Sequence, residues 1–245
     1  MQCCIYKERM FGFKSGLKSL LYPSDCEMCL KPGISLCAPC AHVLSSSAHY
    51  LYGFVRPVTA GIVYSEATSQ IVLRAKERGI ESAYRSLGLS LWSALMLLNP
   101  RESRIALVPI PSSRASIRRR GRNFMIELLE IFLAQNTLDV ELEIHDVLFH
   151  QRKVRDQSGL TMNERIRNME EAIVARNQIQ IPALIVDDVI TTGATFTAAF
   201  SALNVAKTTI LGGIAACASP QQMRIRYAGG GDPRQNFTSR RRTHS

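Results

Sequence analysis

The sequence predicts an α/β protein: a mostly parallel sheet flanked by helices, with a small cysteine-bearing module ahead of it. Three observations carry this expectation. Short apolar, β-branched runs alternate with helix-forming stretches of about 10–15 residues, the pattern of strands joined by crossover helices. Two Cys-x-x-Cys pairs, Cys26/Cys29 and Cys37/Cys40, precede the first such run. Near the C-terminal end, the apolar run Leu184-Ile185-Val186 meets Asp187-Asp188 and then passes through Thr191-Thr192-Gly193-Ala194-Thr195 into a helix-forming segment.

Taken in order, residues 1–22 carry a weak amphipathic pattern (Leu17, Leu20, Leu21) before Pro23, which predicts a short helix. The cysteine module spans about 24–45 and exits through Ser45-Ser46-Ser47. Val58 to Tyr64 is apolar and β-branched and predicts the first strand of the main domain. Ser69 to Leu98 predicts helix, broken at Gly79. Ile71, Leu73 and Tyr84 give its core faces, and Arg74, Lys76 and Arg78 are exposed or ligand-facing. Ile105 to Pro111 is a strand stopped by two prolines, followed by a basic loop and an amphipathic helix, Phe124 to Ala134. A strand follows near Val140–Ile144, a polar mobile loop from His150 to Gly159, and a helix from Met162 to Val174 with Arg165 and Asn168 on one face. A strand at 183–189, a helix from Phe196 to Leu203 and a strand from about Thr208 to Ala216 complete the alternation. The organisation expected is an N-terminal module over 1–50, a main domain over 51–218, and a basic, disordered tail over 219–245.

At 245 residues, with 46% hydrophobic and 20% charged residues, the composition is that of an ordinary globular protein. Apolar runs fall short of the roughly 18 residues that suggest a membrane span. The N-terminus lacks the continuous apolar core of a signal peptide, so a cytoplasmic location is expected. The net charge of +10 is concentrated in two blocks. Arg101–Arg122 holds seven arginines against one glutamate, and Pro220–Ser245 six against one aspartate. Such blocks suit phosphate-rich ligands, pyrophosphate or nucleic acid.

Four of the seven cysteines form the ordered set Cys26, Cys29, Cys37 and Cys40. Paired Cys-x-x-Cys knuckles can place four thiolates around one Zn²⁺ at roughly 2.3 Å, so a structural zinc ribbon is expected. Two disulfides are the competing reading, disfavoured in a reducing compartment. Cys3 and Cys4 read as incidental, and Cys217 as core.

The acidic strand end and hydroxyl-rich turn place two carboxylates beside a helix N-terminus. There backbone N–H groups, the helix dipole and the hydroxyls of Thr191, Thr192 and Thr195 favour an anion, and Gly193 lets the backbone bend. The plainer alternative is an Asp-Asp turn followed by a capped helix. Strand, acid pair, loop and helix together resemble the phosphoribosyl-pyrophosphate (PRPP) motif of type I phosphoribosyltransferases. With the cysteine pairs, the Pro-Ile-Pro strand end, Arg120-Gly121-x-Asn123, Gln157 and Arg165-x-x-Asn168, residues 17–218 resemble the ComF family.

That resemblance implies a PRPP-binding, phosphoribosyltransferase-like protein linked to competence, the uptake of DNA. Asp187 and Asp188 would accept hydrogen bonds from the ribose hydroxyls, with Mg²⁺ bridging sugar and pyrophosphate oxygens. Thr191, Thr192, Gly193, Ala194 and Thr195 would wrap the 5′-phosphate. Ser112, Ser113 and Arg114 would receive pyrophosphate, with Arg118, Arg119 and Arg120 adding positive charge. These arginines also read as a solvated helix start, and Lys76 as either solvated or the counterpart of a family lysine before a glycine. Val154 stands where the family usually has Thr, and Phe124 where Gln is common. The partners implied are PRPP or a related phosphoribosyl ligand, with single-stranded DNA and DNA-uptake proteins beside it. The acceptor is unassigned. The alternative function is a non-catalytic nucleic-acid adaptor that uses the same fold as a scaffold.

Overall fold

A computed structural model describes residues 25–135, 139–151 and 173–224. Six strands form the main sheet: β1 (His49–Leu51), β2 (Val58–Val63), β3 (Arg104–Pro109), β4 (Glu141–Ile144), β7 (Ala183–Ile190) and β8 (Ile210–Ala218). Their order is β1-β2-β8-β7-β3-β4, with β1 antiparallel to β2 and every other neighbour parallel. A separate antiparallel ribbon joins β5 (Leu148–His150) to β6 (Ile173–Ala175). The fold class is therefore the expected one, a mostly parallel sheet flanked by helices with a four-cysteine group before it.

Both faces of the sheet are covered, as a parallel sheet requires. Leu184 and Val186 of β7 point to one face with Ile105, Leu107 and Ile214, under α2 (Glu66–Arg78), α3 (Glu81–Leu98) and α5 (Phe124–Ala134). Ala183 and Ile185 point to the other, under α6 (Ala194–Val205) and the ribbon residues Leu148 and Ile173. Strand periodicity carries this alternation as far as the acid pair, where Asp188 falls on the face covered by α2, as Leu184 and Val186 do.

Helix α3 packs unusually close to the sheet. A Cβ on Gly61 of β2 would lie 1.9 Å from the Ser90 carbonyl oxygen, so only glycine fits there. Ser90 Oγ donates to the Ala216 carbonyl at 2.7 Å, and Thr59 Oγ1 to that of Ala94 at 2.8 Å. These bonds satisfy buried hydroxyls that would otherwise cost about 1–3 kcal/mol each.

Several expectations are corrected. The cysteine module is not ribbon throughout: Cys37 caps α1 (Ala38–Ser46), whose first turn holds Pro39, a residue suited to a helix start. The basic loop after β3 contains α4 (Arg114–Arg120), begun by Ser113, whose Oγ accepts from Ser116 N–H, and ended by Gly121 at φ 70. Leu73 is 47% exposed, because the buried face of α2 runs through Ile71, Val72 and Ala75. Ile173 and Val174 are not a helix end but part of β6, where pairing with β5 suits β-branched residues. Pro220–Arg224 forms a short helix, α7, within the segment expected to be disordered. The strand bearing the acids continues past them, since Val189 and Ile190 pair with Cys217 and Ala218 of β8. The expected N-terminal helix, Val154, Gln157, Arg165, Asn168 and residues 225–245 lie outside the described residues.

Candidate active site

Parallel strands β3, β7 and β8 end side by side, and ligands in such sheets gather at the carboxyl ends. Asp187 and Asp188 lie within β7, level with Ala215 of β8, while Pro109 of β3 pairs with Val186 and Ile110 N–H donates to Val186 O at 2.8 Å. Ser112 and Ser113, which follow, therefore come off the adjacent strand.

Asp188 is buried, its side chain 8% exposed, and Lys76 Nζ of α2 donates to its Oδ2 at 2.6 Å. The same ammonium stands 5.3 Å from the centre of the Phe124 ring. Lys76 is thus held at the site, not free in solvent. Asp187 accepts from the Asp188 N–H at 2.9 Å. Although part of its surface reaches solvent, atoms pack densely around its carboxyl. Burial first, and then the neighbouring Asp188 carboxylate, push it well above the usual carboxylate range. Two adjacent acids are thereby accommodated in different ways, one by a lysine and one by favouring its neutral form.

Thr191, Thr192 and Thr195 are exposed in and just after the turn, while Gly193 is buried. Gly193 caps α6 at φ 81, and a Cβ there would meet Phe54 Cζ at 2.6 Å, so two separate constraints select glycine. Phe54 also packs edge-on against Phe196. Ser219 pins the turn from behind: its N–H donates to Ile190 O at 2.8 Å and its Oγ to Thr191 O at 2.9 Å. The threonines and the first turn of α6 are left as an open, donor-rich lip.

The arginine cluster divides. Arg120 has only 4% of its side chain exposed and pairs with Glu77 at 3.1 Å, leaving its buried Nε without a protein partner. Arg119 reaches the same Glu77 at 3.3 Å from an exposed position, and Arg114 and Arg118 are exposed. Arg74 neither faces a ligand nor stands free, since it bonds Glu27 at 2.6 Å. Sequence reasoning also left out Arg122. Its Nη2 donates to the carbonyls of Ala75 and Lys76, both at 3.0 Å, and its Nη1 bonds Tyr84 Oη and, at 2.7 Å, Glu127. These roles are invisible in the chain because each partner lies 38 or more residues away, apart from Glu127.

The four sulfurs of Cys26, Cys29, Cys37 and Cys40 lie within 4.8 Å of one another. Cys26–Cys37 is 3.7 Å and Cys29–Cys37 is 3.6 Å. A tetrahedron with metal–sulfur bonds of about 2.3 Å has edges of about 3.8 Å, so the group fits Zn²⁺ and could hold it. Burial raises the Cys26 thiol, but N–H groups of Cys29, Cys37 and Met28 directed at its sulfur outweigh that and lower it to about 6. Such a thiolate is ready to ligate. Cys217 is core as expected; burial pushes its thiol up to about 12.

No family model matches the chain, and no curated protein matches it. Among solved structures it is similar to a hypoxanthine phosphoribosyltransferase from Staphylococcus aureus, at 14% identity and a TM-score of 0.32, covering 62% of this chain and 71% of that one. It is also similar to an orotate phosphoribosyltransferase from Aeropyrum pernix, at 13% identity and 0.31, covering 63% and 81%. An adenine phosphoribosyltransferase from Leishmania tarentolae matches at 11% identity and 0.34, covering 80% and 82%. At these identities and scores the likenesses bear on neither the chemistry nor the substrate of this chain. Among the described residues no helix is long and apolar enough to cross a membrane.

Proposed function

We propose that this chain is a ComF-type protein that binds PRPP with Mg²⁺ at the carboxyl end of β7. The observation that carries the reading is the continuous arrangement of Asp187 and Asp188, the exposed threonines and the glycine-capped start of α6. Carboxylates accept from the vicinal hydroxyls of a ribose. The hydroxyls of Thr191, Thr192 and Thr195 and the N–H groups of the α6 start suit its 5′-phosphate. The ligand's Mg²⁺ is a hard cation that prefers oxygen, and this rim is built of carboxylates and hydroxyls. Ser112, Ser113 and Arg114, off the neighbouring strand, are the groups for the pyrophosphate.

Transfer is the extension of the same reading. The C1′–O bond breaks with its electron pair leaving on pyrophosphate while the lone pair of an acceptor nucleophile forms the new bond to C1′, and the exposed Arg114 and Arg118 stabilise the leaving charge. Titrating PRPP and Mg²⁺ by calorimetry tests the binding. Saturable heat that disappears in Asp187→Asn/Asp188→Asn supports it; no heat from the wild type, or unchanged binding in the double variant, refutes it.

A second reading, a nucleic-acid adaptor active in DNA uptake, is favoured by the exposed Arg114, Arg118 and Arg119 of α4. It expects single-stranded DNA binding that weakens steeply with salt and falls in Arg118→Ala/Arg119→Ala while PRPP binding persists.

A further inference from the structure

Three charged side chains near the end of α2 are tied to three different parts of the molecule. Lys76 reaches Asp188, Glu77 takes Arg119 and Arg120 of α4, and Arg74 turns the opposite way, into the cysteine module. There Arg74 Nη1 donates to Glu27 Oε2 at 2.6 Å, and Ser82 Oγ of α3 donates to Glu27 Oε1 at 2.7 Å.

Glu27 is an unexpected residue for its place. It lies between Cys26 and Cys29, is 5% exposed, and has both oxygens committed to the main domain. Four thiolates suffice for a structural metal, so this carboxylate has no ligand role. Its two partners flank Gly79 and Ile80, the corner at which α2 gives way to α3. Arg122 grips the same last turn through the carbonyls of Ala75 and Lys76. The turn that carries Lys76 is therefore fixed from two directions, and one of the anchors belongs to the cysteine module. Glu27 itself is oriented by that module's own turns, with its N–H donating to Ser35 O at 2.8 Å.

We infer that Glu27 is a positioning residue for the acid pair: through Arg74 and Ser82 it sets the end of α2 so that Lys76 meets Asp188. The state of the metal module is thereby transmitted to the sheet end along one rigid helical turn. Only the ligand arm of the test below rests on the PRPP reading.

The test uses the full chain with zinc bound, as wild type, Glu27→Gln, the shorter but still charged Glu27→Asp, and Arg74→Gln. Zinc content is measured first. The labelling rate of the Lys76 amine by an acylating reagent is then followed by mass spectrometry against the exposed Lys207, and Mg²⁺–PRPP affinity is measured alongside. With zinc retained, Glu27→Gln and Arg74→Gln are expected to raise Lys76 labelling about fivefold relative to Lys207. They are also expected to weaken Mg²⁺–PRPP binding about tenfold, with Glu27→Asp recovering most of both effects. Lys76 labelling within about twofold of wild type in zinc-loaded Glu27→Gln, or an equal rise at Lys207, overturns the inference. Should Glu27→Gln fail to fold, Arg74→Gln asks the same question from the main-domain side, and the same two results decide it. A wild type that binds no PRPP refutes the ligand reading alone, and the labelling ratio then decides the positioning role by itself.

Discussion

Replacing Gly193 by alanine should damage both the stability of this protein and the turn that opens α6. At φ 81 the glycine occupies the left-handed region, where a Cβ costs about 1–2 kcal/mol. The new methyl would also stand 2.6 Å from Cζ and 2.7 Å from Cε1 of Phe54, well inside van der Waals contact. The ring is the end of a side chain and can move, but it packs on Phe196, so displacing it costs roughly 1–3 kcal/mol. With partial relaxation, the expected loss for Gly193→Ala is about 2–4 kcal/mol in urea unfolding. The two terms can be separated by a double-mutant cycle. In a Phe54→Ala background the clash disappears and only the backbone term remains, giving a coupling of about 1–2 kcal/mol. A Gly193→Ala loss below about 0.5 kcal/mol, or a full-sized loss unchanged by Phe54→Ala, would refute the reasoning.

Other substitutions probe the site's charges. Asp188→Asn removes the partner of Lys76 and should weaken Mg²⁺–PRPP binding by at least about tenfold, read by calorimetry; charge-assisted hydrogen bonds of this kind are worth roughly 1.5–3 kcal/mol. Asp187→Asn should stabilise the unliganded protein while abolishing binding. Because the folded carboxyl titrates above its unfolded value, its ionisation penalty is absent at acid pH. The penalty grows as pH rises past the unfolded value and levels off above the folded one, so the variant's advantage in urea midpoint should follow that rise. For the same reason wild-type PRPP affinity should increase with pH across the Asp187 titration, as the acceptor form becomes populated. Chelating the metal, or Cys26→Ser, should lower the thermal midpoint and expose the Cys40 thiol to alkylation, measured by mass spectrometry.

Much of the fold was legible because its signals are local. The break at Gly79, the helix Phe124–Ala134 and the apolar strands 105–109 and 183–190 each declare themselves by composition and period. The turn Thr191–Thr195 could be read as joining a strand to a helix because strand, turn and helix are contiguous in the chain. What could not be read depends on partners distant in sequence. Ile173 and Val174 are strand because Leu148–His150 lies beside them, and Leu73 is exposed because α3 packs against a different side of α2. Arg120 read as one of three neighbouring arginines adding charge for pyrophosphate, with a solvated helix start as the alternative, yet it is the one that is buried, on Glu77. Lys76, Arg74 and Arg122 occupy ordinary helical and loop positions, and only tertiary packing gives each its target.

The electrostatics of the acid pair argue that stability alone does not explain it. Asp187 and Asp188 interrupt a strand whose other residues are apolar, in a position where valine or isoleucine would bury cleanly. Keeping them requires Lys76 to be brought across from α2, and it leaves Asp187 with an ionisation penalty that the Asp188 N–H and the Lys76 charge offset only in part. On the proposed reading a ribose would offer two hydroxyl donors, and Mg²⁺ with its phosphates would supply the charge balance that the protein withholds. Binding would then relieve the penalty that folding imposed. On this view the lysine's task before binding is to hold the Asp188 carboxylate correctly aimed, which makes the tethering of α2 part of the site's chemistry.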